Sequence, residues 1–481
     1  MQAQEDQTHV LSYSYGTFRG TIAGVHVARL RLPPLEQLPV PVLVNFHGGF
    51  WKTDWGLHNL QTDELLCAFG TNDVATWDVE YARVDQADPA SSAAGGGWPH
   101  SCLDVLAALN ALAELPQPVR TRLDLSRIYL CGHSAGAHLA LWLGCVSRLT
   151  PVELDRLGSH VAAIAGAEAG RAAQQGVSAP LQVLGVVGLA PVTSLSACAH
   201  AGLSDFHDAG CNFLWRLGPS ASAAHASGLL GAACPLAMWC DMAAQSEEDS
   251  PQLPFALDAG GSIGGGQGDA GHADGGTGAL LPPISATPTR AALRVLLTHG
   301  LNDPDVPPSF SLAWSAAVWS HPRQSPLWLQ LLPDCDHYAV AGLAGALSPG
   351  EREAALAEAK SAPGTAATPT DPPSRSKARP WALAAAALRA FVTQDDASLD
   401  ALCCSSRAEA ERLVASAIPP VQARQSLCSI ATSDADFCSR MDASPETAAK
   451  LARGLRRWYA WVGESPADGI QGWLGGRAVV E

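Results

Sequence analysis

Basic charge is what this 481-residue sequence has least of: 30 Lys and Arg stand against 46 Asp and Glu, a net charge of −16. A chain this acidic repels phosphate, so neither nucleic acid nor an anionic membrane is expected as a partner. The opening MQAQEDQTHV has no basic start and no apolar run, which argues against a secretory signal. A clean membrane span is also missing. The longest uncharged apolar stretch, Ile128 to Val146, contains Gly132, His133, Ser134, Gly136 and His138 and reads as strand, turn and helix. No C-x-x-C pair occurs among the 13 cysteines, which are odd in number and scattered, with Cys403 and Cys404 adjacent. They read as reduced thiols of a cytoplasmic protein, with no zinc site and no disulfide framework. No internal repeat is visible.

What the chain does have is a large apolar fraction, 47%, and enough length for a large core. Short apolar runs alternate with helical patterns from about residue 10 to 393. Strands are predicted over Val40 to Phe46, Val74 to Val79, Ile128 to Cys131, Val183 to Leu189, Leu293 to Thr298 and Leu327 to Leu332. Helices are predicted over Ser101 to Leu115, Ala135 to Val146 and Trp381 to Val392. This alternation predicts an α/β protein with a mostly parallel, doubly wound sheet covered by helices on both faces. Two low-complexity insertions, about 241–290 and 345–379, interrupt a domain spanning 1–393 and are expected to be disordered. Residues 394–481 are expected to form a helical C-terminal extension, to which no motif assigns a role.

Four segments carry chemistry. Gly132-His133-Ser134-Ala135-Gly136 follows a strand and precedes a helix, the context in which a sharp turn lifts a serine hydroxyl above a sheet edge. Ser134 is therefore the candidate nucleophile. His47-Gly48-Gly49-Phe50-Trp51 follows another strand, and its glycines can bring backbone N–H groups to a developing oxyanion. The N–H groups of Gly48 and Gly49, with that of Ala135, are the candidate oxyanion hole, and His47 is expected to hold the loop by hydrogen bonding. An acid and a base should follow the serine in chain order. Asp303, in His299-Gly-Leu-Asn-Asp-Pro-Asp305, is the candidate acid, with Asp305 as its rival and His299 as a structural residue. His337, after the next strand, is the candidate general base. Phe50, Trp51, Tyr81 and Trp98 cluster near these motifs as candidate pocket residues, Trp51 and Tyr81 being better suited to bracing the oxyanion loop. His138 is expected to pack.

HGGFW, GHSAGAHLA, HGLNDPDVP and DCDH together resemble the kynurenine formamidase (arylformamidase) branch of the α/β-hydrolase fold. Glu80-Tyr81 with Arg83, Gly95 to Pro99, and Leu189 to Ser194 add to the resemblance, which covers about residues 12–393 outside the insertions. It implies a Ser134–Asp303–His337 triad, an oxyanion loop at Gly48 and Gly49, and an N-formyl-kynurenine-like aryl formamide as substrate, hence tryptophan catabolism. No cofactor and no metal are implied. The expected partners are a small-molecule amide or ester and, as a candidate assembly, a homodimer. Identical catalytic residues would serve a carboxylesterase on small esters, or a demethylating esterase for prenylated cysteine. A binding protein on an inactive hydrolase fold is the alternative from another class.

Overall fold

The structure is a computed structural model. It describes residues 9–33, 39–57, 73–84, 95–195, 209–215, 232–245, 292–303, 305–319, 325–333, 335–342, 380–406 and 408–410, with 198, 203 and 413 besides. In chain order the elements are β1 (His9–Ser14), β2 (Val27–Leu32), β3 (Val40–Phe46), β4 (Ala75–Val79), α1 (His100–Asn110), α2 (Gln117–Arg120), β5 (Leu123–His133), α3 (Ala135–Val146), α4 (Pro151–Ala165), α5 (Ala167–Gln175) and β6 (Val183–Leu189). They continue with α6 (Ala209–Trp215), α7 (Pro235–Gln245), β7 (Arg294–Gly300), α8 (Ser309–Trp319), β8 (Leu327–Leu332), α9 (Pro380–Thr393) and α10 (Asp396–Leu402).

The strands form one eight-stranded sheet in the order β1-β2-β4-β3-β5-β6-β7-β8. Pairing is antiparallel at β1–β2 and β2–β4, and parallel from β4 through β8. The central strands are short apolar runs because both their faces are covered. In β3, Val42, Val44 and Phe46 enter a core shared with α1 and α3, whereas Leu43 enters a second core shared with α9. The antiparallel start, crossover at β3–β4 and parallel remainder, with helices on both faces, constitute the α/β-hydrolase fold.

Local signals fix several boundaries. Thr150 Oγ1 accepts from the Glu153 N–H while Glu153 Oε2 accepts from the Thr150 N–H, and Pro151 sits in the first turn, so α4 starts there. The helix predicted over Ser101 to Leu115 ends at Asn110 and continues as a tighter turn over Ala111–Glu114. β5 is longer than predicted, running from Leu123. α4, α5 and α8 were not foreseen.

The segment expected to be a disordered insertion begins inside a helix: residues 241–245 are the last residues of α7, and 246–290 lie outside the described residues, as do 345–379. Nor does the structure separate the chain at 393. Leu399, in α10, and Cys403 are buried in the same core as α9, the Trp328 indole N–H donates to Asp400, and Arg294 pairs with Asp396 at 2.6 Å. Cys404 exchanges two backbone hydrogen bonds with Leu329, on the outer edge of β8. The described part of 394–413 thus packs on the core that α9 covers and on the rim of β8. The rest of the extension lies outside the described residues.

Candidate active site

Ser134 stands between β5 and α3 with φ +55° and ψ −117°, a conformation that costs a non-glycine residue about 1–3 kcal/mol. Its N–H donates to Leu189 O, and its carbonyl accepts from His138 N and Val192 N. The flanking glycines answer to crowding. A Cβ on Gly132 would lie 2.3 Å from the Gly136 carbonyl carbon, and one on Gly136 would lie 2.1 Å from Phe46 O. Only glycine lets α3 turn back this close to β3.

The loop after β3 rests directly on that turn. A Cβ on Gly48 would be 2.9 Å from His133 O and 3.2 Å from Ser134 Cβ. Gly49, Phe50 and Trp51 have φ of +101°, +51° and +58° in succession. Such a run of left-handed residues persists only if its surroundings hold it. The Tyr81 hydroxyl donates to His47 O at 2.8 Å, and Val84 N donates to Trp51 O. His47 Nε2 reaches Glu80 Oε1 at 2.7 Å, Arg83 binds the same oxygen, and Leu57 N donates to Glu80 Oε2. Burial alone would raise the Glu80 carboxyl, but His47, Arg83 and the Leu57 N–H outweigh it and hold the pKa at about 2. His47 thus holds the loop through hydrogen bonds.

The acid and base arrive from two further strand ends. Asp303 follows β7 and His337 follows β8, and both are buried. His337 Nδ1 lies 2.7 Å from Asp303 Oδ2, while Asp303 Oδ1 accepts from Asp305 N and Val306 N. It is Asp303, and not Asp305, that hydrogen-bonds the imidazole. Burial opposes ionisation of Asp303, but His337 and His299 overcome it and hold the carboxyl well below its usual range. For His337, burial alone would lower the pKa; the Asp303 charge and hydrogen bond, with Asp305 and Asp336, outweigh it and raise it. His299 binds Ser311 Oγ and Val306 O, each at 2.8 Å, and shapes the acid's loop. Cys335, beside the base, is pushed up to about 12 by burial and then by Asp336 and Asp303, so it stays a thiol.

All four aromatics offered as pocket residues are buried in packing, and Tyr81 and Trp51 also take part in the hydrogen bonds that hold the oxyanion loop. The Tyr81 ring stacks on His47 at 4.4 Å, Trp51 packs at 4.6 Å from Phe213 and edge-on to His138, and Trp98 makes a T-shaped contact with Trp142. All three are enclosed by neighbours in the larger core, as is Phe50. His138 is a packing residue whose Nε2 reaches Ala233 O at 3.0 Å. Sequence reasoning missed what Glu80 does. Its only signal is the spacing of Glu80, Tyr81 and Arg83 at the end of β4, directly beside β3 in the sheet.

A family model described as BD-FAE matches residues 29–209. That stretch contains the Gly48–Gly49 loop and Ser134, and neither Asp303 nor His337. A comparison with curated proteins found no match. Among solved structures the chain is similar to esterase B from Lactobacillus rhamnosis, at 16% identity over 74% of this chain and 85% of that one, with a TM-score of 0.45. It is also similar to esterase LipW from Mycobacterium marinum, at 15% identity over 73% and 79%, TM-score 0.39. A lipase/esterase from Lactobacillus plantarum matches at 14% identity over 68% and 91%, TM-score 0.38.

Proposed function

We propose that this chain is a serine hydrolase that cleaves a small carboxylic ester through an acyl-enzyme. One observation carries the reading: a buried histidine–aspartate pair at 2.7 Å, raised on the ends of β8 and β7, at the same end of the sheet as a serine held at positive φ. Asp303 accepts from His337 Nδ1–H, which fixes the tautomer and leaves Nε2 as the base. Ser134 Oγ attacks the acyl carbon and passes its proton to His337. The oxyanion is received by the N–H groups of Gly48, Gly49 and Ala135. His337 then protonates the leaving alcohol, water attacks the acyl-serine with its proton going to His337, and the carboxylic acid leaves as Ser134 regains its proton.

A second reading is an aryl formamide such as N-formyl-kynurenine, with an arylamine leaving and formate released. It is favoured by the HGGFW and GHSAGAHLA motifs, which the same machinery would serve. Turnover of p-nitrophenyl acetate and N-formyl-kynurenine by wild type and Ser134→Ala decides between them. Serine-dependent ester turnover supports the first reading, and serine-dependent deformylation that exceeds it supports the second. No turnover of either, together with no labelling of Ser134 by a fluorophosphonate, would overturn both in favour of a binding protein on a hydrolase fold.

A further inference from the structure

The residue between Gly132 and Ser134 is a buried histidine that the steps above leave unused. His133 Nε2 lies 2.9 Å from the carbonyl oxygen of His337. A carbonyl only accepts, so Nε2 carries the proton. Nδ1 is buried and meets no hydrogen-bond partner among the described residues. It faces the oxyanion loop, where a Cβ on Gly48 would come within 2.9 Å of it. The ring lies 4.6 Å from the His337 ring, tilted by 47°. One imidazole therefore touches the segment of the base and the oxyanion loop, while its own backbone leads into the nucleophile. Burial, then His337, hold His133 down at about 3, so the ring is neutral wherever the enzyme works.

We propose that His133 is a positioning residue: its Nε2–H pins the His337 main chain to β5, and its bare Nδ1 edge is the surface on which Gly48 rests. The inference depends on the serine hydrolase reading. A space-filling role would be served by any apolar side chain of similar volume. A pinning role needs a donor at the Nε2 position and no hydrogen toward Gly48. Among the described residues, the charged or titratable groups around His337 are Asp303 and Asp305 from the loop after β7, Cys335, Asp336 and Tyr338 from its own loop, and His133 from β5. His299 acts through Asp303. Loosening the His337 main chain weakens its bond to Asp303, so His337 gives up part of its raised pKa.

The test uses the full chain, with p-nitrophenyl acetate turnover measured from pH 5 to 9 for wild type, His133→Leu, His133→Asn and His133→Gln. Leu has no donor, and the Asn amide is too short to reach the carbonyl, whereas the Gln amide nitrogen can occupy the Nε2 position. In Leu and Asn, kcat is expected to fall about 10- to 100-fold, the cost of a small misplacement of a reacting group. KM should stay within about threefold, and the acidic limb of the pH–rate profile should move to lower pH. Gln should restore both kcat and the limb. If Leu does not fold, the Asn–Gln pair carries the comparison. Equal loss in Asn and Gln, a fall in kcat with an unmoved limb, or wild-type behaviour of Leu and Asn each overturns the proposal. Wild type with no Ser134-dependent turnover would instead overturn the hydrolase reading beneath it.

Discussion

Replacing Glu80 by Gln tests how much of the oxyanion loop is held by charge. The carboxylate serves four donors, His47 Nε2, Arg83 and the Tyr81 N–H at Oε1 and the Leu57 N–H at Oε2. Gln keeps one acceptor and turns an NH2 toward the others. A carboxyl moved from 4.5 to about 2 on folding contributes about 3 kcal/mol at neutral pH. Removing one partner of a buried pair costs about 3–5 kcal/mol by an independent route. Because the folded pKa is depressed, this stability is full above about 4.5 and lost as pH falls through about 2, with less than half remaining by pH 3. Urea unfolding of Glu80→Gln should therefore lie about 3 kcal/mol below wild type at pH 7, with the gap narrowing to about half that at pH 3. Ester turnover should fall at least about tenfold in kcat, because His47 and the three left-handed residues behind it lose their anchor. A variant as stable as wild type at pH 7, or one whose deficit is the same at both pH values, would refute the reasoning.

Asp303→Asn should lower kcat by about 10⁴, the scale set by losing the tautomer-fixing carboxylate of a triad, and should also lower the melting temperature at pH 7, because the Asp303 carboxyl is held down on folding by His337 and His299. His337 must be neutral to act as base and is raised by Asp303, so wild-type kcat/KM should fall as pH drops through a value above 6.5, and in Asp303→Asn that limb should shift toward lower pH. Gly136→Ala drives a Cβ to 2.1 Å from Phe46 O, and since backbone cannot yield, a loss of about 3 kcal/mol or more in urea unfolding is expected. A chain truncated after residue 395 loses Leu399, Cys403 and Cys404 from a closed core. Leu399 alone contributes about 2 kcal/mol, so a melting temperature lower by at least about 5 °C is expected.

The central strands were legible because parallel strands covered on both faces are continuous apolar runs, and β3, β6 and β8 begin and end where VPVLVNF, VLGVVGL and LWLQLL do. The positions of the candidate site residues were legible for a different reason: a serine turn, a glycine loop and two strand-end loops each need particular residues at particular spacings. Glu80 and His133 stand inside recognisable motifs, but nothing in those motifs states what the two side chains do. Their importance lies in contacts across 33 and 204 residues, and neither periodicity nor spacing encodes a contact of that range. Of the aromatics near the motifs, Tyr81 and Trp51 hold the oxyanion loop, as expected of them, while Trp98 packs on Trp142. A helix after 393 was expected and α10 is one, but its packing against α9 and the bridge from Cys404 to β8 involve a sheet edge that no local signal describes.

That edge has a consequence for synthesis. An outermost strand with open N–H and C=O groups is a template for another chain. β8 is the outermost strand on its side, and the residue that occupies its rim at Leu329, Cys404, follows β8 by about 70 residues. While the chain is being made, the sheet is complete in strand order well before that rim is closed. Nascent chains crowded on one messenger could pair through β8 during this interval, and a ribosome that stops short of codon 404 would release a protein that has Ser134, Asp303 and His337 but leaves the rim of β8 open at Leu329.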